Sequence, residues 1–326
     1  MMEPMDNPAI FQKTQENYLK VLENCPHPFE NAASRHDNED KIDIVQPHKQ
    51  VDRKLTRHLR IISQTHLPKL QPILGEAGSG KTHYYWILKH QQIHEDQNWI
   101  ITYVPCPPMP MHIPLHILTC LLDEQGDWII GATATNLYQS FQDNRTKSMN
   151  EIKSKLISYY GGVHSEILRV FVEFANPAIS KQKKELIQRW LFGDQLDDEE
   201  LQVLKVKSNI YADNTCLILL RLFDEYCGKT LIYYFDEMEL INRLHGTQAE
   251  IRLWEIIKKL FNESRNSLFI TTCLLNVWDR IQKNLDASVK SRFEPELHLK
   301  SFSLENAQEF YARSMLNFWS EHNLNP

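Results

Sequence analysis

Glycine is scarce in this chain: ten in 326 residues, about 3% against a usual ~7%. Three of the ten nevertheless fall within six residues, at Gly75, Gly78 and Gly80, so unusual backbone geometry is needed at that one place. The six cysteines, at 25, 106, 120, 216, 227 and 273, form no C-x-x-C pair. That excludes a zinc ribbon and a thioredoxin-type site. No run approaches the ~18 apolar residues that a bilayer span needs. The opening MMEPMDNPAIFQ has no basic stretch followed by an apolar one, so it does not read as a signal peptide. The expectation is a reducing, cytoplasmic setting with no membrane partner. Positive charge is not in excess either: 36 Lys+Arg face 42 Asp+Glu, a formal charge of −6. A mildly acidic chain is not a general nucleic-acid binder.

Hydrophobic residues make up 42% and charged residues 24%, enough for a sizeable core and against global disorder. The length suits one large or two ordinary domains. Residues 1–45 read as a polar N-terminal arm with a short helix around 10–23. Residues 48–63 carry Val51, Leu55, Leu59 and Ile62 at helical spacing. Their polar face holds Arg53, Lys54, Arg57 and Arg60 and reads as solvated. LQPIL (70–74) reads as a buried strand running into GEAGSGKTH, and THYYWILKHQQIH as the helix after it. NWIITYVPC (98–106), TLIYYFDE (230–237), SLFITTC (267–273) and LHLKSF (297–302) read as further strands. Residues 113–226 read mostly as helices, EIKSKLISYY, SEILRVFVEFA, KQKKELIQRWL and CLILLRLFDEY among them. Strands alternating with helices give a parallel sheet covered on both faces.

The strongest motif is Gly75-Glu76-Ala77-Gly78-Ser79-Gly80-Lys81-Thr82, a full G-x-x-x-x-G-K-T between an apolar strand and a helix. Its glycines let backbone N–H groups curl around phosphate oxygens at a positive helix end. Lys81 would reach the β- and γ-phosphates of ATP, and Thr82 would ligate Mg²⁺. Next, the run Leu231–Phe235 ends in Asp236-Glu237, which places acids at a strand's carboxyl end, where doubly wound sheets bind ligands. Asp236 would hold Mg²⁺ and Glu237 would polarise the attacking water. SLFITTC ends in hydroxyls, of which Thr272, rather than Thr271, is expected to orient that water. Arg292, in SRF, is the candidate to stabilise charge on the transferred phosphoryl, with Arg280 as its substitute. The i, i+4 pairs His90/His94 and His112/His116 lack a metalloprotease acid and read as surface histidines.

Asp236-Glu237, the polar strand end and SRF resemble the AAA+ ATPases and the related signalling ATPases. Within that class, IDIVQPHKQVDRKL, WLFGDQLDDEELQVL and LHLKSFSLENAQEFY resemble the origin-recognition-like ATP-binding proteins, including those of BREX-type phage-defence systems. The resemblance covers about residues 26–320. It implies a P-loop NTPase three-layer α/β sandwich, its five-stranded parallel sheet in the order 5-1-4-3-2. It also implies ATP between subunits, a helical lid, and work on DNA or a DNA-bound complex. Ile44, Val45 and His48 would lie near the adenine. The ATPase core is expected over 46–302, with the helical insertion at about 113–226. An incomplete lid is expected over 303–326, where Phe310, Met315 and Phe318 would form an exposed apolar strip awaiting another subunit. No second sensor arginine and no winged-helix module can be matched.

These readings give a Mg²⁺-dependent ATP-binding and ATP-hydrolysing AAA+-type module. It would power or switch an oligomer or larger protein complex, with phage defence as one setting. The alternative is a nucleotide-switch interaction protein that binds ATP with little turnover. A GTPase is disfavoured because no N-K-x-D is present. A small-molecule kinase is less natural beside adjacent Asp236-Glu237.

Overall fold

A computed structural model describes residues 8–29, 42–94, 97–141 and 165–324. The helix read at EIKSKLISYY lies outside these residues. Five strands, β1 (Lys69–Gly75), β2 (Trp99–Val104), β3 (Thr230–Phe235), β4 (Ser267–Leu274) and β5 (Leu297–His298), form one sheet. All its pairings are parallel, in the order β2-β3-β4-β1-β5. Read from the other edge, that order is 5-1-4-3-2. The helices in chain order are α1 (Pro8–Asn24), α2 (Lys49–Thr65), α3 (Lys81–His94), α4 (Ile113–Phe141), α5 (Ser165–Phe174), α6 (Lys181–Leu191) and α7 (Asp198–Leu204). They continue with α8 (Asp213–Tyr226), α9 (Leu240–His245), α10 (Thr247–Glu263), α11 (Leu275–Asn284), α12 (Ala287–Lys290) and α13 (Leu304–Glu321). No described helix is long and apolar enough to cross a membrane.

Alternate strand residues feed two separate cores, as a period of two requires. Ile73, Ile101, Ile232, Tyr234 and Ile270 pack with α2 and α3 on one face. Leu74, Val104, Tyr233, Phe235 and Phe269 join a larger core on the other, with side chains of α4, α5, α8, α10 and α11. The central strands β1, β3 and β4 are buried along nearly their whole length, which is why they read as unbroken apolar runs. The helices after β1 and β4 leave to opposite faces, α3 to the first core and α11 to the second. Those two strands are neighbours, so a crevice opens between their carboxyl ends.

β5 is shorter than its sequence suggests: Leu297 and His298 alone pair, with Ile73 and Leu74. The register explains the early end: residues 300–302 would pair beyond Gly75, where β1 gives way to the 76–80 turn. Before the pair, the carbonyls of Leu70 and Leu74 accept backbone bonds on the β5 side, and Pro72 between them has no N–H to give. Gln71 fills that gap. Its buried Nε2 donates to the carbonyls of Pro72 at 2.8 Å and Pro295 at 2.9 Å. His58 Nε2 meets the other end of the same amide at 3.0 Å.

The expectation of a bare apolar strip on α13 holds in part: Tyr311 and Leu316 are exposed, but the three residues expected to form it are not. Phe318 is buried, and Phe310 and Met315 are half-buried. The N-terminal arm supplies the cover. Tyr18 of α1 meets Trp319 edge-on at 4.8 Å, and Phe29 stacks on Tyr311 at 5.3 Å. Phe29 also lies 6.3 Å from Phe310, and His27 lies 6.4 Å from Phe318. Offset and edge-on ring pairs of this kind add ~0.5–1.5 kcal/mol each beyond their buried area.

Candidate functional site

The 76–80 turn joins β1 to α3 and curls because two of its residues adopt positive φ, Gly78 at +77° and Gly80 at +86°. Gly75 is needed for a different reason. A Cβ there would come within 2.1 Å of Ser79 Oγ and 3.1 Å of Ser79 Cβ, so a larger residue would displace the Ser79 side chain. That Ser79 hydroxyl is buried and has no partner, so the turn holds an unmet polar group. Lys81 folds over the turn, and Nζ donates to the carbonyls of Glu76 at 2.8 Å and Gly75 at 3.3 Å.

Asp236 follows the end of β3 and is 1% exposed. A buried carboxylate is costly unless its lone pairs are satisfied, and here four donors satisfy them. Thr82 Oγ1 donates to Oδ2 at 2.6 Å and the Tyr103 hydroxyl to the same oxygen at 2.9 Å. The Glu237 N–H donates to Oδ1 at 3.0 Å, and Thr272 Oγ1 donates to the same oxygen. Thr272 therefore rests on Asp236, and its oxygen accepts from the Glu237 N–H at 3.3 Å. Thr271 is buried with its hydroxyl unpartnered. Burial, then the adjacent Asp236 charge, push the Tyr103 phenol well above its ordinary value, so it stays a donor. Glu237 itself takes φ +55°, a left-handed conformation costing roughly 1–2 kcal/mol in a non-glycine residue. It is exposed and borders a cleft of about 840 Å³ shared with Lys81, Thr82, Asp236 and the turn. That volume lies within the ~300–1,000 Å³ of small-molecule sites.

The four residues Lys81, Thr82, Asp236 and Glu237 are thus brought together, with Thr272 behind them. Three other expected residues lie elsewhere. Val45 is 50% exposed, His48 is 5% exposed, and neither borders the cleft. Arg292 also lies outside it. Its Nε donates to Asn262 Oδ1 at 2.9 Å and its Nη1 to Ser291 Oγ at 3.0 Å. Arg280 does border the cleft, as do Arg243 and Asn242, which sequence reasoning missed. A signal was there: α9 starts three residues after Glu237, so polar residues in its first turn reach the cleft. Tyr103 was missed because its alternate position in an apolar strand looks like core. Among the described residues, no group of three or more His, Cys, Asp and Glu could hold a metal.

His48 has a structural job. Its ring lies between Asp43 at 2.8 Å and Asp52 at 2.9 Å, and Tyr84 donates to Asp52 at 2.7 Å. Burial alone would lower its pKa, but hydrogen bonds and charge from both aspartates raise it from 6.5 to about 9. The clamp ties the segment before α2 to α3. A folded value above the unfolded one means the contribution is complete below pH ~6.5 and lost as pH rises through ~9, on the order of 3 kcal/mol in all. Thermal melts from pH 6.5 to 9.5 are expected to show this loss in the parent and to flatten in His48→Asn. Equal slopes would contradict the clamp.

No family model matches the chain, and no curated protein matches it in sequence.

Proposed function

We propose that the cleft binds Mg²⁺–ATP and hydrolyses it to ADP and phosphate. The observation that carries the reading is the 2.6 Å contact between Thr82 Oγ1 and Asp236 Oδ2, made across 154 positions of sequence. It sets a hydroxyl and a carboxylate side by side at the mouth of a glycine turn that opens a helix. Hard oxygen donors of this kind suit Mg²⁺. Thr82 and Asp236 would hold the ion, Asp236 through its water shell, and the bound ion would neutralise charge on the phosphates. The unmet Ser79 hydroxyl in the turn fits a group rich in acceptor oxygens.

The chain's own residues supply the rest. Lys81 exchanges two carbonyl contacts for phosphate oxygens, a gain because charge-assisted hydrogen bonds are the stronger kind. Glu237 accepts a proton from water as the water oxygen bonds to the γ-phosphorus. The bridging P–O bond then breaks, and its electron pair leaves with ADP. Tyr103 and Thr272 donate to Asp236 and keep it aimed. The arrangement supports an AAA+-type module on a P-loop sandwich, serving a larger assembly through a γ-phosphate-driven conformational change. Arg292 would belong to a neighbouring subunit's site.

Fluorescent ATP titrated with and without Mg²⁺ tests this. Saturable, Mg²⁺-strengthened binding is expected, with phosphate release. Thr82→Val removes one oxygen ligand, worth ~1.5–3 kcal/mol, so the Mg²⁺ enhancement is expected to fall about tenfold or more. Mg²⁺-free binding should persist. No saturable binding by the parent would overturn the proposal.

A further inference from the structure

Glu250, in α10, is 0% exposed. A carboxylate so placed needs a partner of opposite charge, and Arg280 provides it from α11. Nη1 donates to Oε2 at 3.2 Å and Nη2 to Oε1 at 3.0 Å. Asn242 and Asn284 add amide donors to Oε2 at 3.2 and 3.4 Å. Three consecutive helices, α9 to α11, therefore converge on one buried charge. The guanidinium is not buried with it. The Arg280 side chain is 40% exposed and borders the cleft that holds Lys81, Asp236 and Glu237.

This arrangement leaves donors over. A guanidinium has five N–H groups in a fixed fork, and the Glu250 contacts account for two. The three arginines near the site differ in how they are held. Arg243 borders the cleft but is exposed, with no partner among the described residues. Arg292 is held by Asn262 away from the cleft. Arg280 is both held and at the cleft. A cation fixed before the ligand arrives needs no reorganisation when charge develops, which is what makes such groups effective.

We propose that Arg280 reads the γ-phosphoryl group of nucleotide bound in its own chain, and that Glu250 is its positioning residue. The proposal rests on the nucleotide reading above but goes further. It assigns the phosphoryl-contacting arginine in cis, where Arg292 would require a second subunit. The Glu250 contact fixes the fork, and its remaining N–H groups are available to γ-oxygens. Diphosphate binding should not depend on it, because Lys81 and the turn hold the β-phosphate. The triphosphate preference and the rate should.

The test measures ADP and non-hydrolysable ATP-analogue affinities, with kcat and KM for phosphate release, in the parent, Arg280→Ala, Arg280→Lys and Glu250→Gln. Arg280→Ala is expected to keep parental ADP affinity, lose about tenfold or more of its triphosphate preference, and lose about 10²-fold or more in kcat. Arg280→Lys should recover part of the rate. Glu250→Gln should lower kcat with KM little changed, since the guanidinium stays but is no longer fixed. Arg280→Ala leaves a buried charge alone, so Arg280→Ala/Glu250→Gln removes both and reports the same losses if the single variant does not fold. Parental triphosphate preference and kcat in a folded Arg280 variant would overturn the proposal while leaving the phosphate turn intact as a site. A parent that binds neither ADP nor analogue would overturn the nucleotide reading itself.

Discussion

Glu237→Gln is expected to bind ATP as tightly as the parent and to release phosphate roughly 10²–10⁴-fold more slowly. The substitution keeps size and shape, so it isolates the proton. Glu237 is suited to that role by its backbone. Its N–H is fixed by Asp236 Oδ1 and Thr272 Oγ1, and its φ of +55° turns the chain sharply after the strand. The strain persists because the surroundings determine it, and such strain concentrates at sites that act. The Asp236 contacts use the Glu237 backbone and not its side chain, so the network around Asp236 survives the change. Parental turnover in Glu237→Gln would make the residue a strand-end turn and no more. Tight ATP binding with negligible turnover in both forms would favour a nucleotide switch over a hydrolase.

The second large effect is on binding. Lys81→Ala is expected to weaken ATP affinity more than tenfold, since removing one partner of a buried charged contact costs ~2–5 kcal/mol. Its stability should change little. The ammonium's partners in the described structure are two carbonyls of the neighbouring turn, Gly75 and Glu76, which water can satisfy when the side chain is gone. Melting temperature and fluorescent-ATP affinity measured on the same preparation separate the two. A parental affinity in folded Lys81→Ala would remove the turn from the site.

The parts of this site that were legible in sequence are those carried by short stretches. Three glycines in six residues announced the turn, because positive φ at Gly78 and Gly80 has a local cause. The run before Asp236 announced a central strand, because a strand buried on both faces has no polar alternation to offer. The strand order came with the family resemblance, since periodicity says nothing about which strands are neighbours. What escaped depends on meetings across long separations. Glu250 and Arg280 sit 30 positions apart on different helices; in sequence Arg280 is only the substitute for Arg292, and Glu250 alone reads as a surface charge. Tyr18 and Trp319 meet from opposite ends of the chain, so the arm that covers α13 looked detached. β5 is short because its partner β1 ends at Gly75, a register that neither stretch announces alone. His48, expected near the adenine, is held between Asp43 and Asp52, two partners that its own stretch does not announce.

Hydrogen exchange with and without Mg²⁺–ATP tests the central claim most directly, because it locates the ligand on the backbone. Phosphate oxygens held by the turn would take up the N–H groups of residues 76–83, and metal held by Thr82 and Asp236 would steady the chain at 237–239. The account predicts slowed exchange in those two segments, dependent on Mg²⁺ and abolished in Lys81→Ala. Unchanged exchange in both segments, with ATP bound and protection appearing elsewhere, would contradict it.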